Sequence, residues 1–327
     1  LNNLRSEPVG YMDVKEMYPL DIEEFYHAVG MADHVIAKLR QCWQDKEPVD
    51  EFVHRRLMQA FRLYLVIGGM PHAVQTYLDT NNLQDVLAVQ KSILQEYKRD
   101  IMKYKRDDSS QKLYIDEVFQ LIPSELNAKN KRFILKSLNE KARFASYENS
   151  FLWLRDAGVA LPTYNVEEPK LPLLLAKTRN LFKLFQSDVG LLTSQFADGI
   201  QLKLLADNQV INYGAIYENV VAQELVAHGL ESYYYNSKKR GELDFVIEQW
   251  DRILPIEVKS GKDYTYHRAL SNIMDCDEYD IQEALVLNND NLSVDGRITY
   301  VPVYMVMFIV KSVPSVTQYR VDISGLK

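Results

Sequence analysis

Glu242-Leu-Asp-Phe-Val-Ile-Glu248, followed across a short connection by Ile253-Leu-Pro-Ile-Glu-Val-Lys259, is the stretch that decides the fold. Both halves alternate charged and apolar positions and are rich in β-branched residues, the pattern of strands with one face on a core. A turn centred between Trp250 and Asp251 makes them a hairpin in which Asp244 opposes Glu257 and Glu242 opposes Lys259. Opposed residues share a face. The four charges therefore take one face, and Leu243, Phe245, Ile256 and Val258 take the other. Two carboxylates meeting across a ladder repel, which raises a pKa or recruits a hard oxygen-liganded cation such as Mg²⁺. Asp244 and Glu257 are thus candidate metal ligands, and Lys259 is spaced to steady a metal-bound hydroxide or a phosphate. An amphipathic hairpin with its polar face in water would show the same alternation.

Working outward, Ile216 to Ala227 reads as a helix that carries Glu218 among Ile216, Val220 and Val221, where a carboxylate needs a partner. Ser232 to Tyr235 reads as a strand before the hairpin, and Ala284 to Leu287 and Val303 to Ile309 read as closing strands. Helix with Glu, strand, strand with Asp, then Glu-x-Lys is an order that resembles the restriction-endonuclease-like PD-(D/E)xK nuclease fold over residues 214–310. The resemblance implies catalytic roles for Glu218, Asp244, Glu257 and Lys259. Glu218, Asp244 and Glu257 would hold Mg²⁺ for phosphodiester hydrolysis.

Upstream, residues 1–20 contain Pro8, Gly10 and Pro19 without helical spacing and read as a strand or linker. From Asp21, a capping residue followed by Glu23 and Glu24, apolar residues recur at helical spacing through Glu51–Ile67, Pro71–Leu78 and Leu83–Tyr104, with Gly68-Gly69 between two of these helices. Residues 21–105 form a helical unit. The polar run Lys105-Arg-Asp-Asp-Ser-Ser110 reads as a linker, and residues 106–179 as a second unit in which helices precede a hairpin of Val159–Val166 and Leu171–Ala176. Helices followed by a two-stranded hairpin are the parts of a winged helix. Between residues 129 and 143 of that unit, Lys129, Lys131, Arg132, Lys136, Lys141 and Arg143 face only Glu140. The excess suits a duplex backbone, or simply a solvated helix face.

The 327 residues and 38.0 kDa are enough for more than one core, and 47% apolar against 25% charged residues is the composition of a globular chain. The net charge of -7 excludes a histone-like or ribosomal role and confines any nucleic-acid contact to a local basic surface. Cys42 and Cys276 cannot build a disulfide framework or a four-ligand zinc site, and suit a reducing cytosol. The six histidines show no metal-ligand spacing. The longest apolar run, Val301 to Val310, is interrupted by Pro302 and is far short of the ~20 residues that cross a bilayer. No secretory signal is visible, so the expected location is the cytoplasm.

Tyr18-Pro-Leu-Asp-Ile-Glu-Glu-Phe25, Tyr64-Leu-Val-Ile-Gly-Gly-Met-Pro71, Tyr97-Lys-Arg-Asp-Ile-Met-Lys-Tyr104, Ser187-Asp-Val-Gly-Leu-Leu192 and the nuclease-like segment follow one another in an order that resembles a family of prokaryotic AAA-type P-loop ATPases. The resemblance covers nearly the whole chain. It implies a missing N-terminal P-loop core in cis, a helical lid, a winged-helix-like part and a C-terminal domain of unknown function with the nuclease-like fold. The chain contains no G-x-x-x-x-G-K-[ST], and Ser260-Gly-Lys262 lacks both the leading glycine and the following Ser/Thr. This reads as the portion left after removal of the ATPase core, so ATP would bind only in the full-length protein. Gly68, Gly69 and Pro71 resemble a lid motif in which the proline packs on the nucleotide base, and equally a plain helix-loop-helix turn. Gly10-Tyr11 stands where the family usually has Gly-Arg.

The expected fold class is therefore multi-domain α+β: a linker at 1–20, a helical AAA lid at 21–105, a winged-helix-like domain at 106–179 and a restriction-endonuclease-like α/β domain at 180–327. Two functions are open. One is the output portion of an ATPase with a metal-dependent nuclease-like domain that acts on DNA. The other is a non-catalytic DNA- or protein-binding or oligomerisation module with a vestigial site, acting for instance as a homo-oligomer.

Overall fold

A computed structural model of the chain describes residues 15–103, 109–128, 131–138, 144–197, 199–207, 213–311, 320, 321 and 324. Gly10-Tyr11, Lys129, Lys141 and Arg143 lie outside the described residues. Asp21 caps α1 (Ile22–Ala28) through a capping box, accepting from the Glu24 N–H while the Glu24 carboxylate accepts from the Asp21 N–H. Then come α2 (Asp33–Asp45), α3 (Glu51–Ile67), α4 (Pro71–Thr80) and α5 (Leu83–Lys103). Asp50 caps α3, and Pro71 opens α4 in the one turn where a missing N–H costs nothing. Helices α6 (Ser109–Asn127) and α7 (Phe144–Asp156) lead into the first strand.

The molecule is α+β. The strands are β1 (Ala160–Val166), β2 (Lys177–Gln186), β3 (Ser232–Ser237), β4 (Gly241–Gln249), β5 (Arg252–Val258), β6 (Ala284–Asn288), β7 (Ser293–Asp295) and β8 (Ile298–Pro302). Among the described residues they make one mixed eight-stranded sheet in the order β2-β1-β3-β4-β5-β6-β8-β7. Between β2 and β3 lie α8 (Val189–Ser194), α9 (Ile200–Leu205) and α10 (Gly214–Ala227), and α11 (Arg268–Met274) follows β5. α10 is apolar almost all round and nearly every residue of it is buried, as such a helix requires.

The β4–β5 register is the one that the turn between Trp250 and Asp251 demands, with Gln249 opposite Arg252 and Phe245 opposite Ile256. Other expectations need correction. The second strand beside β1 is not Leu171–Ala176 but β2, whose pairing begins at Lys177 opposite Val166. Pro172 has no N–H for a ladder, and residues 173–176 make a short helical turn instead. This hairpin is continuous with the rest of the sheet, because β1 pairs with β3 in parallel. The expected last strand at Val303–Ile309 is likewise a buried 3₁₀ turn, with β8 immediately before it and Pro302 at its start.

One further departure matters for the site. Tyr233 pairs with Val246 but Tyr235 with Leu243, so β4 carries one residue more than β3 over this interval, a β-bulge. Strict alternation fails there. Phe245 joins Ile256 and Val258 in the large core, whereas Leu243 joins Val246 in a second core on Tyr233, Tyr235 and Ile273. The expected grouping of Leu243 with Phe245 on one face is overturned by this extra residue.

Candidate functional site

The carboxylates singled out in sequence do gather, but around a lysine. Glu218 comes from the middle of α10 and is 1% exposed. Its Oε1 accepts from Lys131 Nζ and its Oε2 lies 3.2 Å from Lys183 Nζ. Lys183, on β2, is fully buried, and the same ammonium lies 3.0 Å from Glu242 Oε1 and 3.8 Å from Asp244 Oδ1. The Tyr234 ring centroid is 5.2 Å from it, which adds a cation–π contact. Glu242 Oε2 takes a hydrogen bond from Asn236 Nδ2. Asp244 Oδ2 accepts from the Val258 N–H at 2.9 Å, so the carboxylate takes up a backbone donor just past the Phe245–Ile256 pair of the β4–β5 ladder.

Glu257 and Lys259 form the neighbouring part. Lys259 Nζ donates to Glu257 Oε1 at 2.7 Å, while Glu257 Oε2 is buried without a hydrogen-bond partner among the described residues. The expected partner of Lys259 across the hairpin, Glu242, is instead held by Lys183 and Asn236.

Burial is the largest single influence on Glu218, Asp244, Lys183, Lys131 and Glu257, but it prevails at only some of them. It raises Glu218, with Asp244 adding to the rise and Lys183 and Lys131 opposing it. For Asp244, burial pulls upward but the two lysines and the Val258 N–H win, holding the carboxyl below its ordinary value. Lys183 and Lys131 are both raised although burial opposes this, because Glu218 and Asp244 favour the ammonium form. Burial, reinforced by Asp244, pushes Glu257 up to about 8.

This donor set does not fit a divalent cation as arranged. The position that faces Glu218, Glu242 and Asp244 together is filled by the Lys183 ammonium. Among the described residues no group of three or more His, Cys, Asp or Glu side chains is placed to hold a metal ion. Lys183 is not among the residues that the sequence pattern singles out, and Lys131, expected on a basic surface suited to a duplex backbone or to solvent, turns inward to Glu218. A usable signal for Lys183 existed in Leu181-Phe-Lys-Leu-Phe-Gln186, since a lone lysine in an apolar strand must meet a carboxylate if both strand faces are covered.

Gly68, Gly69 and Pro71 lie at a different junction. The Gly69 N–H donates to Asp188 Oδ2 at 2.6 Å and its carbonyl accepts from the Leu20 N–H at 2.8 Å. A Cβ at Gly68 would overlap the Asp188 carboxylate, and one at Gly69 the Leu20 carbonyl oxygen. The glycines allow three chain segments to cross. Burial pushes Asp188 up to about 6, against the hydrogen bonds it takes from the Gly69, Leu191, Gly190 and Met70 backbone.

Two family models match the chain: a domain of unknown function (DUF8612) over residues 58–202 and a domain of unknown function (DUF4143) over residues 213–306. The second spans α10, β4 and β5, which carry the four carboxylates, and is a domain typically found in AAA-ATPase-associated proteins; Lys131 and Lys183 fall in the first. No curated protein and no solved structure matches the chain. Among the described residues no helix is long and apolar enough to cross a membrane.

Proposed function

We propose that this chain is the output portion of an AAA-type P-loop ATPase, and that its C-terminal nuclease-like domain binds a protein or nucleic-acid partner, or a second copy, without cutting it. The observation that carries this reading is charge closure. Three lysines, Lys131, Lys183 and Lys259, meet four carboxylates, Glu218, Glu242, Asp244 and Glu257. Burial and Asp244 push Glu257 up to about 8, which reduces the excess of carboxylate charge over the three ammonium groups. A cluster whose fully buried ammonium already meets three carboxylates has little electrostatic demand for Mg²⁺.

The route from an ATPase core to this domain is supported by the residues just ahead of α1. Leu20 is held by Gly69 and by the Tyr64 hydroxyl, which donates to its carbonyl at 2.7 Å, and the Ile22 N–H donates to Glu224 Oε1 at 3.1 Å. Glu224 lies on α10, the helix that carries Glu218. A displacement of the lead-in segment would thus act directly on the helix at the centre of the C-terminal domain.

The test is cleavage of single- and double-stranded DNA by the purified chain with Mg²⁺ or Mn²⁺, with binding heats measured in parallel. No metal-dependent cleavage and no heat at millimolar Mg²⁺ are expected. Cleavage that disappears in both Asp244→Ala and Lys259→Ala would overturn the proposal and restore the nuclease reading.

A further inference from the structure

The disagreement between the donor set and a divalent metal points to a specific substitution within the protein. We infer that the Lys183 ammonium is the resident cation of this site, and that loss of this one charge would turn Glu218, Glu242 and Asp244 into a site for a hard divalent cation. The inference rests on the closed-site reading above and adds to it which group does the closing.

The geometry supports this over an ordinary ion pair. Exposed Lys170 meets two carboxylates at the surface, but fully buried Lys183 Nζ faces three from two separate elements, at 3.2, 3.0 and 3.8 Å. Its side chain is 0% exposed and that of Glu218 is 1% exposed, while Glu242 and Asp244 are partly exposed at 26% and 15%, so water screens the Lys183–Glu218 contact least. These N···O distances suit an ammonium and are wider than the roughly 2.1 Å of Mg²⁺–oxygen bonds. A metal in the same place would draw the carboxylates inward or keep water ligands, as Mg²⁺ commonly does. Lys131 is not equivalent: among the described residues its ion pair is to Glu218 alone, and its side chain is 22% exposed.

Take away the Lys183 charge and the buried carboxylates have two escapes, protonation or a new cation. At mildly alkaline pH protonation is disfavoured, so the cation is the one that remains. Lys183→Met keeps the length and the apolar stem and removes only the charge.

The experiment is thermal unfolding of the full chain at mildly alkaline pH, in EDTA and across a Mn²⁺ series. Wild type and Lys131→Met should show no Mn²⁺-dependent shift. Lys183→Met should melt lower in EDTA and rise by several degrees with Mn²⁺, and Lys183→Met/Asp244→Asn should lose that rise. If Lys183→Met does not fold in EDTA, it should be recovered when refolded with Mn²⁺ present, and failure there overturns the inference. So does a folded Lys183→Met without a Mn²⁺ response. If wild type itself shifts with Mn²⁺ and Asp244→Asn abolishes the shift, the closed-site reading fails as well. Silence in both proteins defeats only the role given to Lys183. A direct check in wild type is the ¹⁵N signal of Lys183 Nζ, which should remain that of an ammonium well above the ordinary lysine range. Titration within the ordinary range would overturn the assignment.

Discussion

At Gly69 an added methyl group has nowhere to go, because the Leu20 backbone lies against the Cα hydrogen that a Cβ would replace. Gly158 is the useful contrast, with a positive φ of 68° but open space around it. Alanine at Gly158 bears only the cost of left-handed backbone, about 1 kcal/mol. Alanine at Gly69 must push apart a backbone crossing that Asp188 and Tyr64 also hold, and overpacking of this kind costs roughly 2–3 kcal/mol. Urea unfolding of the two variants should rank them in that order; equal losses would mean that the crossing is loose. The same scale shows what a sequence hides. Asp244, Glu257 and Lys259 could be found because they lie within one hairpin, where alternation and a turn decide who faces whom. Lys183 lies 35 positions from Glu218, and no local rule connects a strand lysine to a helix carboxylate at that separation.

Elements are joined at their ends by pairs of this long-range kind, and the clearest is at the C-terminus of α10. His228 is its C-cap residue; Nδ1 lies 2.9 Å from the Ile309 carbonyl, and Nε2 is 3.6 Å from Asp21 Oδ2, the N-cap of α1. Burial works against both charges. It is outweighed at His228 by Asp21 and the Ile309 carbonyl, which raise the imidazole above its ordinary 6.5, and at Asp21 by His228 and backbone N–H groups, which lower the carboxyl below its ordinary 3.8. A raised histidine contributes stability that is complete below 6.5 and disappears as pH climbs through the folded value. A lowered aspartate contributes stability that is complete above 3.8 and disappears as pH falls through its folded value. The pair therefore stabilises most between about pH 4 and pH 6.5. His228→Gln should lose more stability at about pH 5.5 than at about pH 8.5 when denaturant midpoints are compared. A loss independent of pH would assign His228 a packing role only. The caps and the apolar periodicity of α1, α3 and α5 were legible, since they are local; the bulge in β4 was not, because it is set by the Tyr233 and Tyr235 partners of a strand that the hairpin pattern does not include.

Across the whole molecule, the length predicts two or three cores, and apolar faces find whichever partners the chain brings to them. The large core runs from Ile22 and Phe25 through Phe61, Phe119, Phe151 and Phe182 to Val220 and Ile309. Polar contacts tie the same parts: His54 lies 3.0 Å from the Tyr304 hydroxyl and 3.1 Å from the Asn289 carbonyl, the Val49 N–H donates to Asn291, and Arg62 pairs with Asp207 at 2.8 Å. Sequence periodicity marks which face of a helix is apolar, and it is silent on which distant surface will cover it. Chains above about 150 residues usually unfold through intermediates. Here the helices at 21–103 cannot leave without exposing α10 and the turn after β8, and the sheet would lose the cover of its larger face. Calorimetry should therefore give one transition, with a van't Hoff enthalpy equal to the calorimetric one, and hydrogen exchange in α3 and α10 should be limited by the same global opening. Two resolved transitions, or amides of α3 that exchange while those of α10 stay protected, would show that the helical part is a separate cooperative unit despite the shared core.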